Sequence, residues 1–254
     1  MELKLDYYFN QYQDNPIFKE LIKDINNIWD INTNAQKYLN ENIVKKGIKE
    51  CRATLLGEVT FIGNYFIDEG TKIYPNVVME GPVYIGKNVE IMPGAYIRPG
   101  SIIGDKCVVG FNAEIKNSVM QNGSKATSMV FVGDSILGRS ARIGSGTILA
   151  NRRFDQKNII LKLDDGTKLD TGTNMFGTII GDNSRIGANS AVSPGTFIGP
   201  YSWVFPGTRL HGFVPAQKRV QNEGKLVFTD NERIELKDGY FLTKEYEWKK
   251  EENK

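Results

Sequence analysis

The sequence has 254 residues, of which 40% are hydrophobic and 24% are charged, proportions typical of one large globular domain or a domain with appendages. A net charge of +2 gives no general drive toward nucleic acid or an anionic membrane. The single histidine excludes metal sites that need two or three histidines, so no metal requirement is expected. The sequence has only two cysteines and no signal-peptide layout, which favours a cytoplasmic protein. It has no apolar run long enough to cross a bilayer, so no membrane span is expected.

The first segment, residues 1–50, is predicted to be helical. Pro16 suits the first position of a helix, and an apolar stripe follows at roughly helical spacing. Its members are Ile17, Leu21, Ile25 and Ile28. Thr33 is predicted to cap a second helix.

A repeat of six residues organises the middle of the chain. Eleven successive positions at this spacing are apolar, which chance gives on the order of 10⁻⁵ to 10⁻⁴ per starting phase. They are Leu55, Phe61, Ile67, Ile73, Met79, Ile85, Ile91, Ile97, Ile103, Val109 and Ile115. Six matches neither the 3.6-residue period of a helix nor the two-residue period of a lone strand. It predicts short strands joined by corners, three to a triangular coil, with the key aliphatic residues stacked inside.

The repeat predicts three segments. Residues 51–211 are expected to form the coil, about 20 hexads or roughly 6.5 coils at about 4.8 Å per coil. Residues 152–178 interrupt it and are predicted to form a hairpin arm around Asp164-Asp165-Gly166-Thr167. Residues 212–254 are predicted to contain short strands near Leu226, Ile234 and Phe241 and then a charged tail.

The hexads resemble the left-handed parallel β-helix of the hexapeptide-repeat acyltransferases. A narrower resemblance, to the acetyltransferase domain of the bifunctional N-acetylglucosamine-1-phosphate uridyltransferase/glucosamine-1-phosphate acetyltransferases, covers residues 80–220. Five stretches carry it in order: Ile97-Arg98-Pro99-Gly100, Ala113-Glu114-Ile115-Lys116-Asn117-Ser118, Val132-Gly133-Asp134-Ser135, Ile143-Gly144-Ser145-Gly146-Thr147 and Ala150-Asn151-Arg152-Arg153-Phe154-Asp155. The last stretch, followed by an arm, is most similar to the archaeal type. The implied fold is an all-β, left-handed parallel β-helix with a small α-helical N-terminal segment.

The resemblance also implies roles for individual residues. Arg98 and Lys116 would hold a phosphate or diphosphate, the first as a bidentate donor and the second as a point charge. Asn151 and Lys157 match polar positions of the acceptor site. The backbone expected to lie against the acetyl and pantetheine groups of acetyl-coenzyme A, the implied co-substrate, comes from three consecutive residues, Gly144, Ser145 and Gly146. On residue pattern alone, each of these positions also fits an ordinary outward-facing charge or corner residue.

The catalytic base is where the chain departs from the family pattern. Ser128 occupies the position of the family histidine, and Phe131 that of a tyrosine. A serine hydroxyl is no base near neutral pH, and losing a general base typically costs about 10²–10⁴ in rate. His211 lies about three coils further along, roughly 14 Å away, and is interpreted as a surface residue. Asp134, acting through a water molecule, is the remaining candidate.

Two functions therefore stay open. The first is an acyl-coenzyme A-dependent acetyltransferase acting on the amine of an amino-sugar phosphate or a nucleotide sugar. The second is a non-catalytic module that binds a sugar nucleotide or acyl-coenzyme A, or a trimeric partner of a separate nucleotidyltransferase. Both predict a homotrimer with sites between subunits and neither predicts a nucleic-acid or membrane partner.

Overall fold

The chain winds into a triangular β-helix. The computed structural model describes residues 1–222, 226–230, 233–235 and 241–243. Three sheets of nine, ten and eight strands form the faces, and the chain visits the first, second and third face in turn. All neighbouring strands within the coil pair in parallel. The fold is the left-handed parallel β-helix predicted from the hexads, with few helices.

The strands are short on every face. The first face contains β1 Lys49–Cys51, β4 Tyr65–Ile67, β7 Val83–Ile85, β10 Ser101–Ile103, β13 Val119–Met120, β16 Ile136–Leu137, β21 Thr178–Ile180, β24 Thr196–Ile198 and β27 Phe213–Val214. The second face contains β2 Thr54–Leu55, β5 Lys72–Ile73, β8 Glu90–Ile91, β11 Val108–Val109, β14 Lys125–Ala126, β17 Arg142–Ile143, β22 Arg185–Ile186, β25 Trp203–Val204 and β28 Lys218–Asn222, to which β29 Leu226–Asp230 adds antiparallel. The third face contains β3 Val59–Ile62, β6 Val77–Glu80, β9 Tyr96–Ile97, β12 Glu114–Lys116, β15 Phe131–Gly133, β18 Ile148–Leu149, β23 Ala191–Val192 and β26 Arg209–Leu210.

The coil is longer than predicted. Eight strands on the third face require at least eight coils, so the expected 6.5 was wrong. The hexad count omitted the strands around β14 and β15, where the spacing slips. It also stopped before β27 and β28, although the parallel ladder continues to Val220.

The predicted inward column is the hydrophobic core. Every key residue from Ile67 to Ile115 has no exposed surface, and full burial of one such side chain stabilises the fold by about 1.5–3 kcal/mol. The exceptions are Leu55, at 46% exposure, and Phe61, which is partly buried. Both lie in the first coil, where no earlier coil covers them.

The N-terminal segment contains the predicted helices with different boundaries. They are α1 Leu5–Tyr8, α2 Pro16–Leu21 and α3 Asp30–Leu39, which continues into a π-helical turn, Asn40–Val44. Asn15 caps α2, its side chain accepting a hydrogen bond from the Phe18 N–H at 3.0 Å. The prediction that Thr33 caps the second helix was wrong, because α3 begins three residues earlier. There the Asp30 carboxylate accepts the Asn27 N–H at 2.8 Å. No helix in the described ranges has the length and hydropathy to cross a bilayer.

The helices cover the first face of the coil. Their buried side chains, among them Phe18, Trp29 and Leu39, pack against the outward residues of that face, such as Ile102 and Phe197. Among the described residues, the helices thus cover the first face of the coil and leave the second and third faces without such cover.

The arm is a two-stranded antiparallel hairpin that folds back onto the helices. Its strands are β19 Ile160–Lys162 and β20 Lys168–Asp170. Ile159 and Leu161 are buried in the same cluster as Trp29 and Phe176. Beyond the coil, β30 Arg233–Glu235 pairs with β31 Phe241–Thr243. The predicted charged tail lies outside the described residues.

Asp182 connects the N-terminal segment to the coil. One carboxylate oxygen accepts the N–H groups of Asn10 and Gln11 at 2.9 and 3.1 Å, and the other accepts the Arg139 N–H at 2.8 Å. Burial raises the pKa of Asp182 to about 6, although the three N–H donors act in the opposite direction. The carboxylate therefore takes up a proton at a higher pH in the folded chain than in the unfolded chain.

We expect the contribution of Asp182 to stability to fall as the pH rises. Because its folded pKa lies above the unfolded value of about 3.9, the contribution is fully present below about pH 4 and is lost as the pH passes about 6. Relative to Asp182→Asn, which cannot ionise, the wild type should lose about 2–3 kcal/mol between these limits. Urea unfolding of both proteins at several pH values measures this. A difference independent of pH would contradict it.

Candidate functional site

Asp134 is the centre of a polar cluster where the third face turns into the first. Its carboxylate accepts hydrogen bonds from Lys116 Nζ at 3.1 Å, from Asn117 Nδ2 at 2.6 Å and from Asn151 Nδ2. We call these four residues the Asp134 cluster. All three partners are donors, which suits an ionised carboxylate. The predicted site residues Lys116, Asp134 and Asn151 are therefore in direct contact.

The local backbone explains why the cluster forms at this corner. Asn117 and Asp134 both adopt positive φ, 45° and 46°, a conformation that Asn and Asp tolerate better than most residues. Adjacent coils stack in register, with Lys116 opposite Gly133, so side chains that are one coil apart in the sequence meet. Only 4% of the Asp134 side chain and 23% of the Lys116 side chain are exposed, so this ion pair is shielded from water.

Gly133 leaves room for Asn151 in the cluster and for the predicted residue Phe131 beside it. A Cβ atom at this position would lie 2.7 Å from Phe131 Cε1 and 2.8 Å from Asn151 Nδ2. The side chains of Phe131 and Asn151 therefore occupy the space that any larger residue would fill. The Phe131 ring lies beside the cluster and offers it only an apolar surface.

Arg98 lies one coil below Lys116 on the same face. The pairing of Ile97 with Ile115 sets this register. Arg98 Nη1 donates to Glu114 Oε1 at 2.8 Å, and its guanidinium carbon lies 5.8 Å from the centre of the Tyr96 ring. Arg98 and Lys116 are thus adjacent, but each is already paired with a carboxylate.

Ser128 belongs to a different corner, between the second and third faces. The Gly146 N–H donates to the Ser128 carbonyl at 3.0 Å, and the hydroxyls of Ser145 and Thr127 are 3.2 Å apart. Ser128 is therefore adjacent to the predicted coenzyme-binding stretch. It stands at the opposite end of β15 from Asp134, so one protomer does not bring these two predicted catalytic residues together.

The second face carries a groove next to this corner, with a volume of about 430 Å³. We call it the second-face groove. Gly144 and Ser145 form one wall, and Arg142 and Arg185, in register on adjacent coils, lie along it. Trp203 follows Arg185 in the same ladder and has the Arg219 guanidinium 5.8 Å from its ring centre. These basic residues were not among the predicted site residues. The arm lies between Arg142 and Arg185 in the sequence and hides the fact that they are on adjacent coils.

The remaining candidates lie elsewhere. Lys157 lies in the arm, beside Arg153 and Asp170 in a separate cavity of about 430 Å³. His211 is exposed, and Leu210 beside it is three ladder steps from Val132, or about 14 Å. Cys107 is buried, and burial raises the pKa of its thiol to about 11. Cys107 is therefore a packing residue rather than a nucleophile.

A second cavity opens directly onto the Asp134 cluster, with a volume of about 650 Å³. We call it the α3 cavity. Helix α3 forms one wall, the segment that returns from the arm forms another, and the coil corner forms the floor. The two sides are connected, because Gln36 Nε2 of α3 donates to Asn117 Oδ1 at 2.9 Å. Sequence reasoning missed this cavity, since nothing in the hexads indicates where the helices dock.

A β-helix of hexads, with a charged polar cluster at one corner and a glycine- and serine-lined groove at another, places the chain in the class of left-handed β-helix proteins. The comparisons with known proteins agree. The GMPPB C-terminal domain family matches residues 79–164. The bifunctional sugar-1-phosphate nucleotidylyltransferase/acetyltransferase of Sulfurisphaera tokodaii is 35% identical over 184 residues, 72% of this chain and 45% of that protein.

Two further similarities were found. The putative uncharacterized acetyltransferase YaiX of Escherichia coli is 31% identical over 171 residues, 67% of this chain and 73% of that protein. The acetyltransferase domain of PglB from Neisseria gonorrhoeae, solved in complex with acetyl coenzyme A, superimposes with a TM-score of 0.40 and 18% identity, over 63% of this chain and 58% of that one. The chain belongs to the hexapeptide-repeat acyltransferase family. It spans about half the length of the bifunctional relatives that it matches, 45% and 42% for two of them.

Proposed function

We propose that this protein transfers an acetyl group from acetyl-coenzyme A to the amine of an amino-sugar phosphate or a nucleotide sugar. The observation that carries the proposal is the Asp134 cluster, in which a nearly buried carboxylate is surrounded by Lys116, Asn117 and Asn151. Relatives that cover most of this chain are named acetyltransferases. These names and the cluster support the same class of reaction.

In this reaction the amine nitrogen of the sugar forms a bond with the acetyl carbonyl carbon. The carbon–sulfur bond of the thioester breaks, and the thiolate of coenzyme A takes the proton that the nitrogen gives up. Asp134 would accept a hydrogen bond from the amine or from an intervening water and orient it. Backbone N–H groups of the Gly144–Gly146 stretch would donate to the thioester oxygen.

We further propose that the two corners meet between subunits of a homotrimer. Within one chain, Asp134 and Ser145 lie at different corners of the coil, so a neighbouring copy would have to supply the second corner. Several exposed apolar side chains on or next to the third face support such packing: Ile62, Phe111, Met129 and Ile148. The helices already cover the first face.

The second-face groove supports a site for the coenzyme. The diphosphate and 3′-phosphate of coenzyme A are anionic, and Arg142 and Arg185 are donors that match phosphate geometry. The Trp203 ring offers an aromatic surface to an adenine base.

We also propose the cytoplasmic location that was expected from the sequence. Both cysteines are free thiols, which fits a reducing compartment.

Acetyl-coenzyme A should raise the melting temperature of the protein. A ligand at about 100 times its dissociation constant adds about 2.7 kcal/mol, or about 5–10 °C for a chain of this size. Arg142→Gln should reduce the shift, whereas Lys125→Gln, one coil away and outside the groove, should preserve it. Differential scanning fluorimetry measures the shift in melting temperature, and light scattering measures whether the protein is a trimer. No shift at millimolar ligand, or a monomer at micromolar concentration, would contradict the proposed site.

One observation favours a second function, binding without catalysis. Ser128 stands where the family pattern has its histidine, and His211 lies about three coils away. A protein that binds acetyl-coenzyme A and the sugar but releases no coenzyme A would fit this alternative. Assay of free thiol formation distinguishes the two functions.

A further inference from the structure

The α3 cavity is built by parts of the chain outside the hexad repeat as well as by the coil. Helix α3 contributes Asp30, Asn32, Thr33 and Gln36. The arm's return segment contributes Thr171, Gly172, Thr173, Met175 and Phe176. A volume of about 650 Å³ lies within the range of about 300–1,000 Å³ typical of small-molecule pockets. All of these lining residues come from one protomer, and the cavity is open on one side.

The lining of the α3 cavity matches a polyhydroxylated ring. It combines amide and hydroxyl groups, which both donate and accept, with an apolar part formed by Trp29, Met175 and Phe176. Asn32 is nine-tenths buried, and its Oδ1 accepts no hydrogen bond from any residue that the structure describes. A buried acceptor without a partner is costly. A ligand hydroxyl or ammonium that donates a hydrogen bond to the Asn32 amide oxygen would therefore be favourable.

The charge of the lining selects among sugars. Two carboxylates, Asp30 and Asp134, and one ammonium, Lys116, line the cavity, and that ammonium is already paired with Asp134. This balance favours a neutral or singly cationic ligand and disfavours a phosphate. An ammonium group would be attracted to the carboxylates, while a phosphate on the same molecule would be better placed outside, toward Arg98.

We propose that the α3 cavity binds the pyranose ring of an amino sugar, so that helix α3 determines acceptor specificity within one protomer. The inference deepens the proposed function by naming the part of the acceptor that is recognised and the residues that recognise it. Gln36 also holds Asn117, which holds Asp134. The helix is therefore connected by two hydrogen bonds to the carboxylate proposed to orient the amine.

The test is direct binding of free glucosamine to the full chain, measured by saturation-transfer NMR and calorimetry without acetyl-coenzyme A. Thr33 is exposed and lines the cavity, so Thr33→Trp fills it without disturbing the core. Lys37→Trp places the same side chain on the same helix outside the cavity. Binding should weaken at least about tenfold, or about 1.4 kcal/mol, in Thr33→Trp and should be unchanged in Lys37→Trp.

Three results would overturn the inference. They are no glucosamine binding at millimolar concentration, equal binding by Thr33→Trp, and tighter binding of glucosamine 1-phosphate that Thr33→Trp leaves unaffected. The thermal shift with acetyl-coenzyme A separates this failure from failure of the proposed function. A shift without sugar binding rejects only the α3 cavity, whereas sugar binding without a shift rejects only the acetyl transfer.

Discussion

Ser128→His is expected to increase the rate of acetyl transfer by about 10²–10⁴, the usual contribution of a positioned general base. The side chain would extend from the corner that carries Ser145 and Gly146, next to the stretch proposed to hold the thioester. An imidazole there would accept the proton of the attacking amine. The rate should rise with pH through the histidine pKa, near about 6.5 if unperturbed. Thiol release from acetyl-coenzyme A, with glucosamine 1-phosphate as acceptor, measures it.

The control for this gain is Ser128→Asn, a polar side chain that takes up no proton near neutral pH. It should leave the rate within about threefold of the wild type, since it adds no base. If histidine and asparagine give the same rate, the corner occupied by Ser128 is not where the amine is deprotonated. Deprotonation would then have to involve another group, such as Asp134, and only a wild type that releases no thiol would be described as a binding module.

The coil itself was predictable because one physical rule repeats along it. Each inward aliphatic residue stacks on its equivalent in the next coil, so the period of six is visible in the sequence without any alignment. The number of coils was less accessible. Where the spacing slips near β14 and β15, the inward residues are Ala126 and Val132, and a strict count by six passes over them.

The sequence also indicates that the helices cover the first face, through a pattern with a period longer than six residues. On that face the residue before the inward aliphatic is apolar in successive coils: Phe66, Tyr84, Ile102, Val119, Ile136, Ile179, Phe197 and Phe213. On the second face the same position is mostly charged or polar, as in Lys72, Glu90 and Lys125. An outward apolar row that recurs once per coil indicates a face covered by another element. A search at a period of six does not detect it, because only every third hexad contributes to the row.

The candidate site could be predicted only in part, for geometric reasons. Lys116, Asp134 and Asn151 are separated by about one coil each, so the repeat itself brings them together. Ser128 and Asp134 are only six residues apart, yet an extended strand holds them at opposite corners. The α3 cavity depends on how the helices dock, which rests on side-chain packing rather than on a repeating spacing.

Asp134→Asn should destabilise the fold by about 2–4 kcal/mol and strongly reduce acetyl transfer. An asparagine at this position presents its own N–H groups to Lys116, Asn117 and Asn151, which are all donors, and so leaves at least one shielded donor unpaired. Lys116→Met alone should cost less. The double variant should be more stable than the sum of the two changes predicts, by about 1–2 kcal/mol. Urea unfolding of the four proteins gives this coupling energy.

A matched pair elsewhere in the coil supplies the reference. Glu69 and Lys87 also lie one coil apart, but their charged atoms are 3.9 Å apart and their side chains are 68% and 51% exposed. Their coupling in Glu69→Gln and Lys87→Met should be below about 0.5 kcal/mol because water and salt screen it. Equal coupling for the two pairs would mean that burial gives the Asp134 cluster no special strength. A preorganised carboxylate at this corner could then not be the basis of the proposed reaction.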